Sequence, residues 1–319
     1  MPHQRASSPL SCENLFLSLL SASALRTPYK HMPSLKRTAI LLISCPDQPS
    51  LVSSVSTFIG KNKGNIVYLD QHVDEKNEAF FMRIEWEMDG FELTEDQLNS
   101  QFNTEIASGS EMTWHLHYND QPPRVAIFVT KEGHCLYDLL SRHESGELNI
   151  QIPLIISNHD SLQRVADRFD IPFHQFRINK ENKADQELAE IEILKEHNVD
   201  TVILARYMQI LSDNFVNHFP NQIINIHHSF LPAFAGAKPY HQAYQRGVKL
   251  IGATSHYVTA DLDEGPIIAQ DVISVTHRES LSDFIRHGRD LEKIVLSRGV
   301  WAHSQRKVLV LKNKTVVFS

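Results

Sequence analysis

From Arg124 onward the chain alternates short apolar, β-branched runs with helix-length segments, and this alternation restricts the fold more than any other feature. RVAIFVT at Arg124 to Thr130 reads as a strand. Helices are predicted over Cys135 to Arg142, Ser161 to Phe169, Ala184 to His197 and Met208 to His218. Between them lie strands at Ile152 to Ser157, Pro172 to Phe176 and Thr201 to Leu204, and a last strand starts at Ile223. Apolar runs of this length, bounded by turn residues, suit strands buried on both faces. Strands that alternate with helices form a parallel sheet covered on both sides, wound by right-handed crossovers. The fold class is α/β, with a Rossmann-like, mostly parallel sheet over residues 124–319.

The last strand carries the residues with chemistry. If it continues to Ser229, its period of two puts Asn225, His227 and Ser229 on one face. Open α/β sheets bind ligands in a crevice at such strand ends. Further on, Ile251 to Thr259 reads as a strand, ADLDEG as a tight acidic turn, and PIIAQDVISV as a returning strand, so Asp263 sits in the loop of a hairpin. An amide, an imidazole and a carboxylate that converge can move an acyl group off an amide nitrogen. The carboxylate takes a proton, the imidazole protonates or polarises, and the amide N–H donates to the oxyanion, which is worth about 2.7–4 kcal/mol. In a cleft the carboxylate is expected to carry a shifted pKa that tunes Asp263 toward base behaviour. Spacing alone leaves ordinary loop and core polarity open as the other explanation.

Composition excludes several classes. The net charge of −7 argues against nucleic acid as a partner. Cys12, Cys45 and Cys135 are scattered and odd in number, which argues against a disulfide framework or zinc site and suits a reducing, cytoplasmic compartment. No apolar run reaches membrane-span length, and HExxH is absent. His115 and His117 share a strand face, but without a third ligand they read as surface histidines, and no metal is expected.

Residues 1–34 differ in texture: Ser-rich, with Glu13 the one acid and an apolar patch from Leu15 to Leu20. They read as a disordered or leader-like extension, with Met32 a functional start; were residues 1–31 a transit peptide, the location would be organellar. Residues 36–118 then follow the order β-α-β-β-α-β of a ferredoxin-like unit. Its strands are Thr38 to Ser44, Asn65 to Val73, Ala79 to Glu87 and Glu111 to Tyr118; its helices are Leu51 to Lys61, with Ser50 as cap, and Thr94 to Ile106. Arg83, Glu85 and Glu87 alternate with Met82, Ile84 and Trp86, as in a half-buried strand. Residues 119–124 form a linker stiffened by Pro122 and Pro123. His277 to Ser297 reads as an amphipathic helix with a basic, solvated face, and Lys307 to Leu311 with Thr315 to Phe318 as a hairpin.

Several segments carry a resemblance. NIHHSFLPAF, AKPYHQAY and GATSHYVTADLDEGPIIAQDV together resemble the catalytic core of the folate-dependent formyl-group enzymes, a formyltransferase-like domain. The doublet His227–His228 and the whole-chain layout resemble the deformylase branch more than the transferases. The resemblance implies Asn225, His227 and Asp263 as catalytic residues, with His256 in support. It implies Met208, Gln209, Ile210 and Leu211 as lining the pterin pocket, although by residue type alone Met208, Ile210 and Leu211 are ordinary core residues. The implied reaction is hydrolysis of 10-formyltetrahydrofolate, the substrate, to formate and tetrahydrofolate, the formate supplying purine synthesis. No cofactor is implied. The first βα turn, TKEGHCLYDLL, retains one glycine and presents Glu132, a poor phosphate cradle, which favours water over a phosphorylated amine as acceptor. The alternatives are formyl transfer to an amine, and an inactive folate- or amino-acid-binding regulatory protein.

With CPDQPSLV, residues 36–118 resemble an ACT domain, which implies an amino-acid effector at the turn Asp47, Gln48, Pro49 and Ser50, and a homo-oligomer. Ser50 stands where that family commonly has glycine, so a ligand needing close backbone approach meets a side chain there.

Overall fold

A computed structural model describes residues 36–233 and 238–319; the extension expected over residues 1–34 lies outside them. The first layer is antiparallel. β1 (Thr38–Pro46), β2 (Asn65–Asp74), β3 (Ala79–Glu87) and β4 (Thr113–Tyr118) stand in the order β2-β3-β1-β4, the ferredoxin-like arrangement. α1 (Leu51–Lys61) and α2 (Glu95–Phe102), which runs on as one π-helical turn at Asn103–Ala107, connect them. α1 places Leu51, Val55, Phe58 and Ile59 on one face, in a core with Met82, Ile84 and Trp86 of β3. The Thr94 side chain accepts from Gln97 N and closes a capping box at α2, a device worth about 1 kcal/mol.

Three expectations change here. Ser50 does not cap α1 with its side chain; it sits at φ 72, the left-handed region that favours glycine. β3 is not half-buried. Arg83 is 4 % exposed, because its guanidinium pairs with Glu85 at 2.8 Å and donates to the carbonyls of Gln305 (3.3 Å) and Arg306 (3.1 Å). The second face of the sheet is thus covered by the end of the last helix, whose unpaired carbonyls need donors. His117 also leaves the surface: burial, with Arg306 nearby, pushes its imidazole down to about 3.

The second sheet follows the alternation. Its strands are β5 (Arg124–Val129), β6 (Gln151–Ser157), β7 (Phe173–Gln175), β8 (Thr201–Leu204), β9 (Ile223–His227), β10 (Leu250–Tyr257) and β11 (Ile267–Ser274), ordered β11-β10-β9-β8-β5-β6-β7. β7 through β9 in that order are parallel, β10 returns antiparallel to β9, and β11 runs antiparallel to β10. α3 (His134–Glu144), α4 (Gln163–Arg168), α5 (Lys183–Glu196), α6 (Asp213–His218), α7 (Pro239–Arg246) and the 24-residue α8 (Leu281–Ser304) accompany the sheet. α8 starts at Leu281 rather than His277, because Ser280 and Asp283 form its capping box. β12 (Val308–Leu311) and β13 (Lys314–Val317) make the expected hairpin.

β5 is flanked by β6 on one side and β8 on the other, so the winding reverses between β5 and β8. The crevice at such a reversal, beyond the strand ends, is where this architecture receives ligands. The helix predicted over Met208 to His218 is shortened to α6. Ser212 accepts from Phe215 N as N-cap, and Arg206 has φ 64, so residues 206–212 cross the crevice as a loop. Among the described residues, no helix is long and apolar enough to cross a membrane.

Candidate active site

β9 delivers Asn225 and His227 to the crevice on one face, as its period of two requires. Ser229 leaves that row, since the strand ends at His227; its hydroxyl donates to Ala233 O at 2.7 Å and holds the following turn. β10 pairs antiparallel with β9 in a register that sets His256 opposite Asn225. His256 Nδ1 lies 2.9 Å from Tyr257 O, an acceptor, so Nδ1 carries the proton and Nε2 accepts from Asn225 Nδ2 at 3.2 Å. Burial lowers the pKa of His256 and keeps it neutral.

Asp263 arrives from the β10–β11 connection. A Cβ at Gly265 would meet Tyr257 O at 1.8 Å, so only glycine lets the chain pass that close, and Tyr257 N then donates to Pro266 O at 2.9 Å. This closure aims Asp263, at φ 57, back toward β9. Its Oδ1 lies 3.1 Å from His227 Nδ1 and 3.9 Å from His256 Nε2. Burial pushes the Asp263 carboxyl up, but the hydrogen bond from His227 and the nearby imidazoles outweigh it and hold the group below its ordinary value. Asp263 is therefore an ionised acceptor at neutral pH and a weaker base than expected.

The four side chains line one cleft of about 530 Å³, together with Met208, Gln209, Ile210 and Leu211. Met208 and Ile210 are 57 % and 61 % exposed, so they are cleft wall rather than core, while Leu211 is buried. His227 Nε2 is buried and has no hydrogen-bond partner among the described residues. Asn225 has a second amide hydrogen beyond the one directed at His256. Two polar positions thus stand ready in an otherwise engaged cluster.

Sequence reasoning missed a second polar group beside the first. Glu292, fully buried on α8, accepts from Tyr240 OH at 2.5 Å, lies 2.7 Å from His134 Nε2, and stands 3.4 Å from Arg206 Nε. His228 packs between Tyr240, edge-on at 5.8 Å, and His227, tilted at 5.3 Å, and burial pushes it down to about 3. These residues come from five separate segments, so no local spacing signals them. His134, Cys135 and Glu292 hold three ligand-type atoms within 4.8 Å of one another. The Arg206 guanidinium already supplies the counter-charge, and burial raises the Cys135 thiol well above its ordinary value, away from the thiolate that a metal requires. Glu132 of the first βα turn pairs with Arg289 at 2.6 Å and is not a bare charge. The turn Asp47 to Ser50 is exposed and lies apart from this cleft.

Residues 123–300 match the family model described as formyl transferase. The chain is 55% identical over 282 residues to a formyltetrahydrofolate deformylase of Synechocystis, covering 88% of this chain and 99% of that one. It is 44% identical over 288 residues to the formyltetrahydrofolate deformylase of Escherichia coli K12, covering 90% and 100%. A crystal structure of a formyltetrahydrofolate deformylase from Pseudomonas syringae matches with a TM-score of 0.87 at 45% identity, covering 90% of this chain and 96% of that one. A glycinamide ribonucleotide transformylase from Symbiobacterium toebii matches with a TM-score of 0.59 at 27% identity and covers only 64% of this chain. The likeness to the deformylases therefore takes in the antiparallel sheet as well.

Proposed function

The chain belongs to the formyltetrahydrofolate deformylases, hydrolases within the formyl transferase family, and from that membership we propose how it hydrolyses 10-formyltetrahydrofolate to formate and tetrahydrofolate. Water attacks the formyl carbon, with Asp263 accepting its hydrogen bond and then its proton. The carbonyl oxygen becomes an oxyanion that accepts from the free amide hydrogen of Asn225 and from the Nε2–H of a doubly protonated His227 whose Nδ1–H stays on Asp263. The C–N10 bond breaks, N10 receives a proton passed through the His227–Asp263 pair, and formate leaves. His256 orients Asn225 by accepting its other amide hydrogen.

One observation carries this function: an ionised carboxylate, an imidazole and an amide meet at one end of a cleft whose other wall is the apolar 208–211 loop, with His227 Nε2 unengaged. An apolar wall with few polar groups suits a flat pterin ring. Water is favoured over a phosphorylated amine because Arg289 and Arg206 are already paired with Glu132 and Glu292. The scheme calls on no cofactor. The test is formate release by purified protein. Asp263→Asn is expected to lose turnover while still binding tetrahydrofolate, and full turnover in that variant overturns the assignment.

The same proposal extends to the antiparallel sheet as an ACT domain spanning residues 36–118. Its turn Asp47–Gln48–Pro49–Ser50 would receive an amino-acid effector, its edges would pair between copies in a homo-oligomer, and the enzyme would work in the cytoplasm, feeding formate to purine synthesis. The left-handed Ser50 supports a turn of special shape there. Formate release measured with and without added amino acids, alongside light scattering for mass, tests this part.

A further inference from the structure

α5 carries an anomaly. Its buried positions are Glu187, Glu190, Ile191 and Leu194, so two carboxylates occupy the apolar stripe of a helix. Fully buried acids are rare unless paired. Glu187 Oε1 accepts from Ser212 N at 3.1 Å and has Lys183 Nζ at 3.7 Å. Glu190 is 0 % exposed; its Oε1 accepts from Tyr207 OH at 3.4 Å, and its Oε2 has no partner among the described residues. Tyr207 and Ser212 are the two ends of the loop whose middle, Met208 to Leu211, lines the cleft. A third tie holds the near end, where Met208 N donates to Thr130 Oγ1 at 3.0 Å. The back of the loop is thus fastened at both ends to two acids of one helix.

We propose that Glu187 and Glu190 are positioning residues that hold the 207–212 loop in the shape that receives the folate, and that ionising Glu190 releases it. The inference rests on the loop being the substrate's wall, as argued above. A buried carboxyl oxygen without a hydrogen bond to the protein is tolerated as the neutral acid and costly as the anion. The titratable groups acting on Glu190 are Glu187 from its own helix, itself beside Lys183, and Tyr207 from the loop. β5 and α6 add Phe128, Phe215 and Val216 to this layer, which do not titrate. Burial first, then the charge of Glu187, raises the Glu190 carboxyl to about 8. As pH rises toward that value a second negative charge beside Glu187 falls on a carboxyl whose Oε2 has no hydrogen bond among the described residues; Tyr207 keeps its acceptor, and the charge is relieved only by opening the loop to solvent. The cost falls on substrate affinity, since neither acid lines the cleft.

The test is steady-state formate release between about pH 6 and about pH 9.5, comparing the native enzyme with Glu190→Gln, whose amide can accept from Tyr207 but cannot ionise. The native KM is expected to climb as pH rises toward about 8, by up to about tenfold per pH unit for one linked proton, and to level off above it, with kcat unchanged. Glu190→Gln is expected to keep a flat KM across the series and a native kcat. Glu187→Ala is expected to raise KM about fivefold at every pH by removing one hydrogen bond to the loop. Superimposable pH profiles for native and Glu190→Gln enzyme, or an effect confined to kcat, overturn the proposal. Calorimetric binding of tetrahydrofolate over the same series reads the loop independently of turnover. Absence of formate release with an intact binding profile would sink the proposed reaction, while formate release with a pH-independent Kd would sink this inference alone.

Discussion

His227 Nδ1 and Asp263 Oδ1 lie 3.1 Å apart, although one residue ends β9 and the other sits in the β10–β11 connection. The contact fixes the orientation of both groups. It holds Asp263 ionised and leaves His227 Nε2 buried without a hydrogen bond among the described residues. An acid and an imidazole locked in this way have little rearrangement to make as charge develops on a bound formyl group, which is how preorganised sites lower barriers.

Asn225 is assigned the oxyanion. Asn225→Ala removes that donor and also strands His256 Nε2, which has Asn225 as its hydrogen-bonding neighbour. Turnover is expected to fall by about 10²–10³, with KM for the folate changed far less. A fall in KM-defined affinity with kcat intact would move Asn225 from the reacting centre to substrate binding.

The tautomer of His256 is open to direct inspection. Nitrogen NMR of the native enzyme at neutral pH is expected to find Nδ1 protonated and Nε2 bare, held by Tyr257 O and Asn225. Burial lowers the imidazole, so protonation is expected only below the ordinary value of 6.5. The sign follows: a group whose folded pKa is depressed binds its proton later than the unfolded chain does, so the folded state loses stability as pH falls through that window. A resonance titrating above 6.5 contradicts the assignment.

Gly265 is predicted to be a site where a single methyl group disables the enzyme without unfolding it. Its Cβ position falls 1.8 Å from Tyr257 O, so Gly265→Ala must push the Asp263 loop away from β9. Circular dichroism is expected to stay near native, with melting lowered by the backbone shift, while formate release drops at least about tenfold, since misplaced catalytic groups lose rate steeply. Native turnover in this variant contradicts the role given to the hairpin closure.

Much of this was legible in the chain, for stated reasons. Period-two alternation in β9 put Asn225 and His227 on one face, and the acidic turn before Gly265–Pro266 marked the loop of Asp263. The helix predicted from Met208 failed because the Ser212 cap and the left-handed Arg206 override the apolar spacing; Met208 and Ile210 face a cleft, while Leu211 joins the core. Ser229 failed because the strand stops two residues earlier. Arg83 was misjudged because its partners, the carbonyls of Gln305 and Arg306, lie more than two hundred positions away. The Glu292 cluster has the same character. Glu187 and Glu190 went unread in the helix over Ala184 to His197, although acids three residues apart share its stripe with Ile191 and Leu194; the reason for them lies in a loop that spacing cannot place.

The central claim is that water takes the formyl group at the cluster of Asn225, His227 and Asp263. Turnover of 10-formyltetrahydrofolate in isotopically labelled water tests it most directly. One solvent oxygen is expected in each formate released, in step with tetrahydrofolate formation, and Asp263→Asn is expected to abolish both. Formate without the solvent label, or a formyl group recovered on an added amine, contradicts it.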